Sequence, residues 1–300
     1  MRVMLILAVL VLSACQHVSA PPPVVGEIRD LRSGRSLTPQ ELVAQLAKPS
    51  RLIVGEKHDN RDHHALQLWL LQSLGDQRPQ GSLLLEMLTP DQQPRVDEVR
   101  HASAPPADLP GALAWQEGWD WDLYGPIVRF ALSQPYPLLS ANLTTAQIRA
   151  IYANPPALSG SRSNASSVKD ELLQQVSESH CGLLPQAQMP AMLAVQQQRD
   201  RRMAERLLAA PEPSMLIAGA FHARKDVGVP IHVLDLGAPE APTVLLLVQQ
   251  GSEVNAAMAR HQLRQIYVLQ FEQSPEPKRA VRQPPKQAVA GINTHDTPTF

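Results

Sequence analysis

The chain has 300 residues, 44% of them apolar and 18% charged, with a formal net charge of −1. That composition can bury a sizeable core in one or two domains, and it offers no basic stripe to track phosphates, so nucleic acid is excluded as an expected partner. The 28 prolines exceed the usual ~5%, but they gather in linkers and at helix starts.

Met1 to Cys15 carries one basic residue, Arg2, then the apolar run Val3 to Leu12, then Leu12-Ser13-Ala14-Cys15. The run is too short to span a bilayer and has the form of a signal-peptide core. Its last four residues resemble the bacterial lipoprotein signal. By that resemblance residues 1–14 are removed, Cys15 is lipidated and anchors the chain to the membrane, and the absence of aspartate at Gln16 favours the outer over the inner membrane. Loss of Arg2 takes the net charge to −2. Residues 15–25 include Pro21-Pro22-Pro23 and form an extended tether.

Folding is expected from Gly26. Thr38-Pro39-Gln40-Glu41 combines an N-cap hydroxyl, a first-turn proline and a capping-box glutamate, so a helix begins there. The run Arg51 to Gly55 predicts a buried strand ending at Glu56 and His58. Asn60 or Asp62 caps a following helix with Ala65, Leu66, Trp69, Leu70 and Leu74 at helical spacing. Ser82 to Glu86 predicts a second strand ending on a carboxylate, and Thr89-Pro90-Asp91-Gln92 a further helix start. A helical stretch with Trp115, Trp119, Trp121 and Tyr124 reads as packed aromatic core or as a ligand wall. Pro137 to Leu143 predicts a third strand ending near Asn142.

From Thr144 to Leu208 the pattern is helical, over Thr144–Tyr152, Val168–Ser179 and Gln188–Leu208. Strands are expected again at Met215–Ala218, Ile231–Leu234, Thr243–Val248 and Ile266–Leu269. The fold class is therefore α/β: a mostly parallel central sheet flanked by helices, made of residues 26–143 and 212–272, with a smaller helical domain inserted at 144–211. Residues 273–300, rich in Pro, Gln and charge, are expected to be disordered.

In an open α/β sheet ligands bind beyond the carboxyl ends of the parallel strands. Strand ends here offer Glu56 with His58, Glu86, Asn142 and His222. Such a set can divide general acid and base roles, or hold a divalent metal such as zinc through Glu56, His58, Glu86 and His222. His63 and His64 are adjacent, cannot share a helix face, and read as solvated or capping. His180-Cys181 precedes Gly182 and reads as a buried pair, a redox thiol or a soft metal ligand. Arg199, Asp200, Arg202 and Glu205 have the spacing of a solvated ion-paired face.

The lipoprotein signal, V-G-E-K-H-D-N (54–60), L-L-L-E-M (83–87), G-W-D-W-D-L-Y-G-P (118–126), S-H-C-G-L-L-P (179–185), R-D-R-R-M-A (199–204) and G-A-F-H-A-R-K-D-V-G-V-P (219–230) together resemble the ChaN family of haem-binding lipoproteins. The resemblance spans about Gly26 to Val248. It implies an α/β domain with a smaller helical domain, a role in haem or iron uptake, an outer-membrane haem receptor as a further partner, and a homodimer enclosing two haems. In the family each iron is held by a tyrosine of one subunit, with a histidine of the other near the propionates. A phenolate suits ferric iron as a hard anionic donor. Tyr124 is the first ligand candidate, Tyr152 the second, and His180 and Cys181 follow, because there is no tyrosine between Tyr152 and Tyr267. The paired Gly-Glu-x-His and Gly-x-x-His elements also resemble a wider superfamily with erythromycin esterases and Tiki-type metalloproteases, which implies the alternative of a hydrolase using Glu56, His58, Glu86 and His222.

Overall fold

The computed structural model describes residues 21–23 and 26–249 and the backbone of 266–271. The leader with Cys15, and the expected disordered tail, lie outside the described residues. Eight strands form one sheet in the order β2-β1-β8-β7-β3-β6-β4-β5. These are β1 (Glu27–Asp30), β2 (Arg35–Leu37), β3 (Arg51–Glu56), β4 (Ser82–Leu85), β5 (Leu138–Ser140), β6 (Ser214–Gly219), β7 (Thr243–Gln249) and β8 (Ile266–Phe271). The six from β8 to β5 run parallel, and β1 is antiparallel to both β2 and β8.

The central strands are apolar on both sides because helices cover both faces. Alternate side chains separate cleanly. Leu52, Val54, Leu83, Leu85, Met215, Ile217, Leu245 and Leu247 pack on one face, with α1 (Pro39–Leu46), α2 (Arg61–Gly75), α3 (Gln93–His101) and α5 (Trp121–Leu132). Ile53, Leu84, Leu216, Ala218, Val244, Leu246 and Val248 occupy the other, each fully buried aliphatic contributing ~1.5–3 kcal/mol. That second face is covered by α8 (Met189–Ala209), the short α9 (Ala220–Ala223) and α10 (Val229–Asp235).

The helices α6 (Thr145–Ala153), α7 (Ser166–Ser179) and α8 fill the segment read as helical. α6 begins with a capping box between Thr144 and Gln147. The second half of α8 lies on the sheet through Met203, Ala204 and Leu207. Its first half, through Met189 and Met192, shares a separate small core with Val176 of α7.

Several local expectations are corrected. Ile231–Leu234 is part of α10, where Gly228 is the N-cap and Pro230 lies in the first turn. A short apolar run buried all round does not distinguish strand from helix, and the proline decides here. The tryptophan stretch is helical only from Trp121; before it come the four-residue α4 (Leu109–Ala112) and an irregular loop with Ala114 at φ 48°. Thr89 gives both its backbone N–H and its hydroxyl to Gln92 Oε1, which closes a separate turn, so α3 starts only at Gln93. The β1–β2 hairpin, turning at Gly34 with φ 71°, has no counterpart among the sequence expectations; its strands are too short and too polar to show a period.

Candidate functional site

The adjacent central strands β3, β6 and β4 end side by side, with Glu56 in register with Gly219 and the Glu86 N–H bonded to the Ile217 carbonyl. Glu56, His58, Glu86 and His222 therefore meet at the carboxyl edge of the sheet, as the spacing of the motifs implied. Two sub-clusters result.

In the first, His58 Nδ1 donates to Glu56 Oε1 at 2.8 Å, and the Tyr124 hydroxyl donates to the same oxygen at 2.7 Å. That hydroxyl is 3.0 Å from His58 Nδ1. The Trp119 ring stands edge-on to His58, with centroids 4.9 Å apart. Glu56 is buried, while 40% of the His58 side chain is exposed. Partial burial disfavours the His58 cation, but the charge and hydrogen bond of Glu56 outweigh it and raise the pKa above the usual value.

In the second, His222 is enclosed. Its Nδ1 meets Asp200 Oδ1 at 2.6 Å, its Nε2 lies 3.4 Å from Glu86 Oε1, and the Gln196 amide is 3.3 Å from Nδ1. The other Glu86 oxygen accepts the Gly219 N–H at 2.8 Å. Burial opposes the His222 cation, yet Glu86 and Asp200 overcome it and its pKa is pushed up to about 10. Burial likewise opposes the Glu86 anion, and His222 more than compensates, holding this carboxyl below the usual range. For Asp200 burial wins, and its pKa is raised.

The glycines of the two motifs are what let these arms fit together. A Cβ on Gly55 would lie 2.6 Å from Leu246 Cδ2, 2.7 Å from Ala223 Cβ and 3.0 Å from Ala220 Cα, so Gly55 makes room for the helix that carries His222. A Cβ on Gly219 would lie 2.9 Å from His58 Nε2. Each motif thus leaves a gap for the other's histidine-bearing segment.

Asn142 has a structural role: its amide donates to the Glu86 carbonyl at 3.0 Å, and its Oδ1 accepts from the Leu143 N–H at 2.8 Å. His63 and His64 are buried, which corrects the solvated reading. His63 Nδ1 accepts the Lys57 N–H at 2.8 Å, and burial, with His64 beside it, brings its pKa down to about 3. His64 Nε2 donates to the His58 carbonyl at 2.9 Å. Both brace the loop that presents His58, which Asn60 ends by capping α2.

Asp200 is the site residue that sequence reasoning misses. Its spacing suits a solvated face, but it is fully buried. A signal exists: Asp200 precedes Met203 and Ala204 by three and four residues, so it shares their buried stripe. Arg202 and Glu205 form the expected surface pair, at 3.8 Å.

The metal reading of Glu56, His58, Glu86 and His222 finds no support in this arrangement. Among the described residues no group of three or more His, Cys, Asp or Glu side chains is arranged to hold a metal ion. The Nδ1 atoms are engaged by Glu56 and Asp200, and His222 Nε2 faces Glu86. Tyr124, the first haem-ligand candidate, lies inside this cluster. It is 1% exposed and hydrogen-bonded to Glu56. Burial, then Glu56, pushes its pKa far above the ordinary phenol value, so it is a neutral donor rather than a phenolate.

Tyr152, His180 and Cys181 lie outside this cluster. Tyr152 is on α6 and 37% exposed. His180 is the C-cap of α7, and its Nδ1 donates to the Val176 carbonyl at 2.7 Å. Cys181 follows at φ 53°, is exposed, and precedes Leu183, which is 83% exposed.

Fold and site define an α/β protein with a carboxylate–histidine crevice at the edge of a parallel sheet and a helical segment beside it. The family profile described as haem-binding uptake, Tiki superfamily, ChaN matches residues 42–233, and the chain belongs to that family. Among solved structures, it is similar to one described as cofacial heme binding to ChaN of Campylobacter jejuni, with 26% identity, a TM-score of 0.74, and coverage of 82% of this chain and 98% of that one. A mutant of the erythromycin esterase EreC, in its open conformation, matches at 14% identity and a TM-score of 0.44, over 76% of this chain and 77% of that one. No curated protein matches.

Proposed function

We propose that this chain is a haem-binding lipoprotein of the bacterial outer membrane, serving haem or iron uptake and enclosing haem between two copies of itself. The observation that carries the reading is the family match over residues 42–233, joined to the likeness to a ChaN described as binding haem cofacially. The resemblance of Leu12 to Cys15 to a lipoprotein signal supports the anchor.

The donor set fits the group, though not at Tyr124. The exposed Tyr152, the Cys181 thiol and the His180 imidazole are all chemically able to hold ferric haem, and Leu183 offers apolar surface beside two of them. Haem would supply the iron chemistry. The protein's share is the axial donor, the apolar cover and the copy that closes the other side.

The test is titration of ferric haem into soluble protein beginning at Gln16, read in the Soret region and by sedimentation. A saturable band with dimer formation is expected, and Tyr152→Phe, His180→Ala and Cys181→Ser should locate the donor. No saturable change would sink the proposal.

A second reading rests on one observation: the partly exposed His58, held by a buried carboxylate, has the posture of a general base. Such a base takes a proton from water attacking an ester carbonyl and returns it to the departing alkoxide. Turnover across an ester panel, lost in His58→Ala and Glu56→Gln, is the expected result of that reading. Absence of turnover in wild type removes it.

A further inference from the structure

A cavity of ≈ 400 Å³ lies at the opposite, amino edge of the sheet, where β3 and β7 begin and β1 ends. Arg32, Lys48, Arg51 and Lys225 contribute to its lining, against only two acidic side chains, Asp30 and Glu240. These residues come from four separate segments of the chain, so the fold gathers them.

Within the cavity the four basic side chains outnumber the two acidic ones. The Asp30 carboxylate is taken up by its own turn, accepting the Arg32 N–H at 2.9 Å and the Ser33 hydroxyl at 2.8 Å. The Arg32 guanidinium approaches it only to 4.0 Å. Arg51 pairs with Glu212, which is not among the lining residues, and the buried Arg51 Nε has no hydrogen-bond acceptor among the described residues. Burial, and next the Arg32 charge, bring the Lys225 pKa down to about 8, with Glu240 only partly opposing them. Positive potential of this kind is relieved by a bound anion. None of these residues belongs to the histidine crevice, although Lys225 follows His222 by three positions.

We propose that this cavity is a binding site for a compact dianion, a phosphate group carried by a small molecule or a lipid headgroup, held by Lys225, Lys48, Arg32 and Arg51. Guanidinium forks and ammonium groups together suit a tetrahedral oxyanion better than a single carboxylate.

The experiment uses soluble protein beginning at Gln16, at fixed ionic strength in chloride. Sulfate, whose charge does not change over the range used, and inorganic phosphate are titrated by calorimetry and by thermal melting. Saturable binding is expected. It should tighten as pH falls from 9 to 7, because Lys225 gains its proton there. Lys225→Gln with Lys48→Gln should weaken binding at least ~10-fold, equivalent to ~1.4 kcal/mol, with an unchanged circular dichroism spectrum and unchanged haem titration. Vesicles of phosphatidic acid assign the source: capture that free phosphate competes away points to a headgroup, and saturable free-anion binding without capture to a soluble phosphate compound. No saturable binding of sulfate, phosphate or vesicles, or equal binding by the folded double variant, overturns the proposal.

Discussion

His58 and His222 each stand three residues after a strand-end glycine, yet 40% of the His58 side chain meets solvent and only 8% of the His222 side chain. One carboxylate and a phenol hold the first; two carboxylates hold the second. His222 is therefore a buried cation that fastens α8 to the edge of the sheet, while His58 is the imidazole that can exchange protons with whatever enters the crevice. Equal spacing in sequence has produced unequal burial, and burial assigns the roles.

The largest effect separating them is expected at His222. His222→Ala leaves Glu86 and Asp200 buried without their cation and should lower unfolding stability by ~3–5 kcal/mol, measured by urea titration at pH 7. The same pair predicts a pH signature. The His222 pKa is higher in the folded protein than in the unfolded chain, where it is ~6.5. Its contribution is thus complete below that value and is lost as pH rises through about 10. Wild type should lose this increment between those limits and His222→Gln should not. Equal slopes would show that His222 is not held as a cation.

Next in size comes Gly55→Ala, whose new methyl meets the α9 backbone and Leu246. Overpacking of this kind should cost ~1–3 kcal/mol, read as a lower melting temperature. Tyr124→Phe removes a buried donor from Glu56 and should cost ~1–2 kcal/mol. Its haem spectrum should match wild type, and a lost tyrosinate band would restore Tyr124 as the ligand. Smallest in stability is His58→Ala, within ~1 kcal/mol of wild type, because its side chain is partly solvated already. A loss of several kcal/mol there would erase the distinction between the two histidines.

Much of this is legible in the sequence, for definite reasons. The strands Arg51–Glu56, Ser82–Leu85 and Ser214–Gly219 are short apolar runs ended by polar residues, and that pattern alone places Glu56, Glu86 and His222 near one edge. Thr38 announces its helix through a capping box, which is present. What stays hidden depends on tertiary partners. Asp200 carries the local look of a charged helix surface, and only the position of His222 shows why it is buried. Tyr124 looks like an available phenol until Glu56, 68 residues earlier in the chain, is found to occupy it at 2.7 Å. Ile231–Leu234 has no period that tells a buried strand from a buried helix turn, and the β1–β2 hairpin is too short to have one.

The reciprocal gaps at Gly55 and Gly219 carry a consequence for how such a site can change. Because a methyl on Gly219 collides with the His58 ring, Gly219→Ala and His58→Ser should be non-additive: the second substitution should recover part of the loss caused by the first, and a double-mutant cycle would measure the recovery as a coupling energy. Two stretches more than 160 residues apart are then a single unit of inheritance. Neither glycine offers a functional group to any ligand, yet an engineer who wished to move one histidine would have to redesign the opposite glycine in the same step.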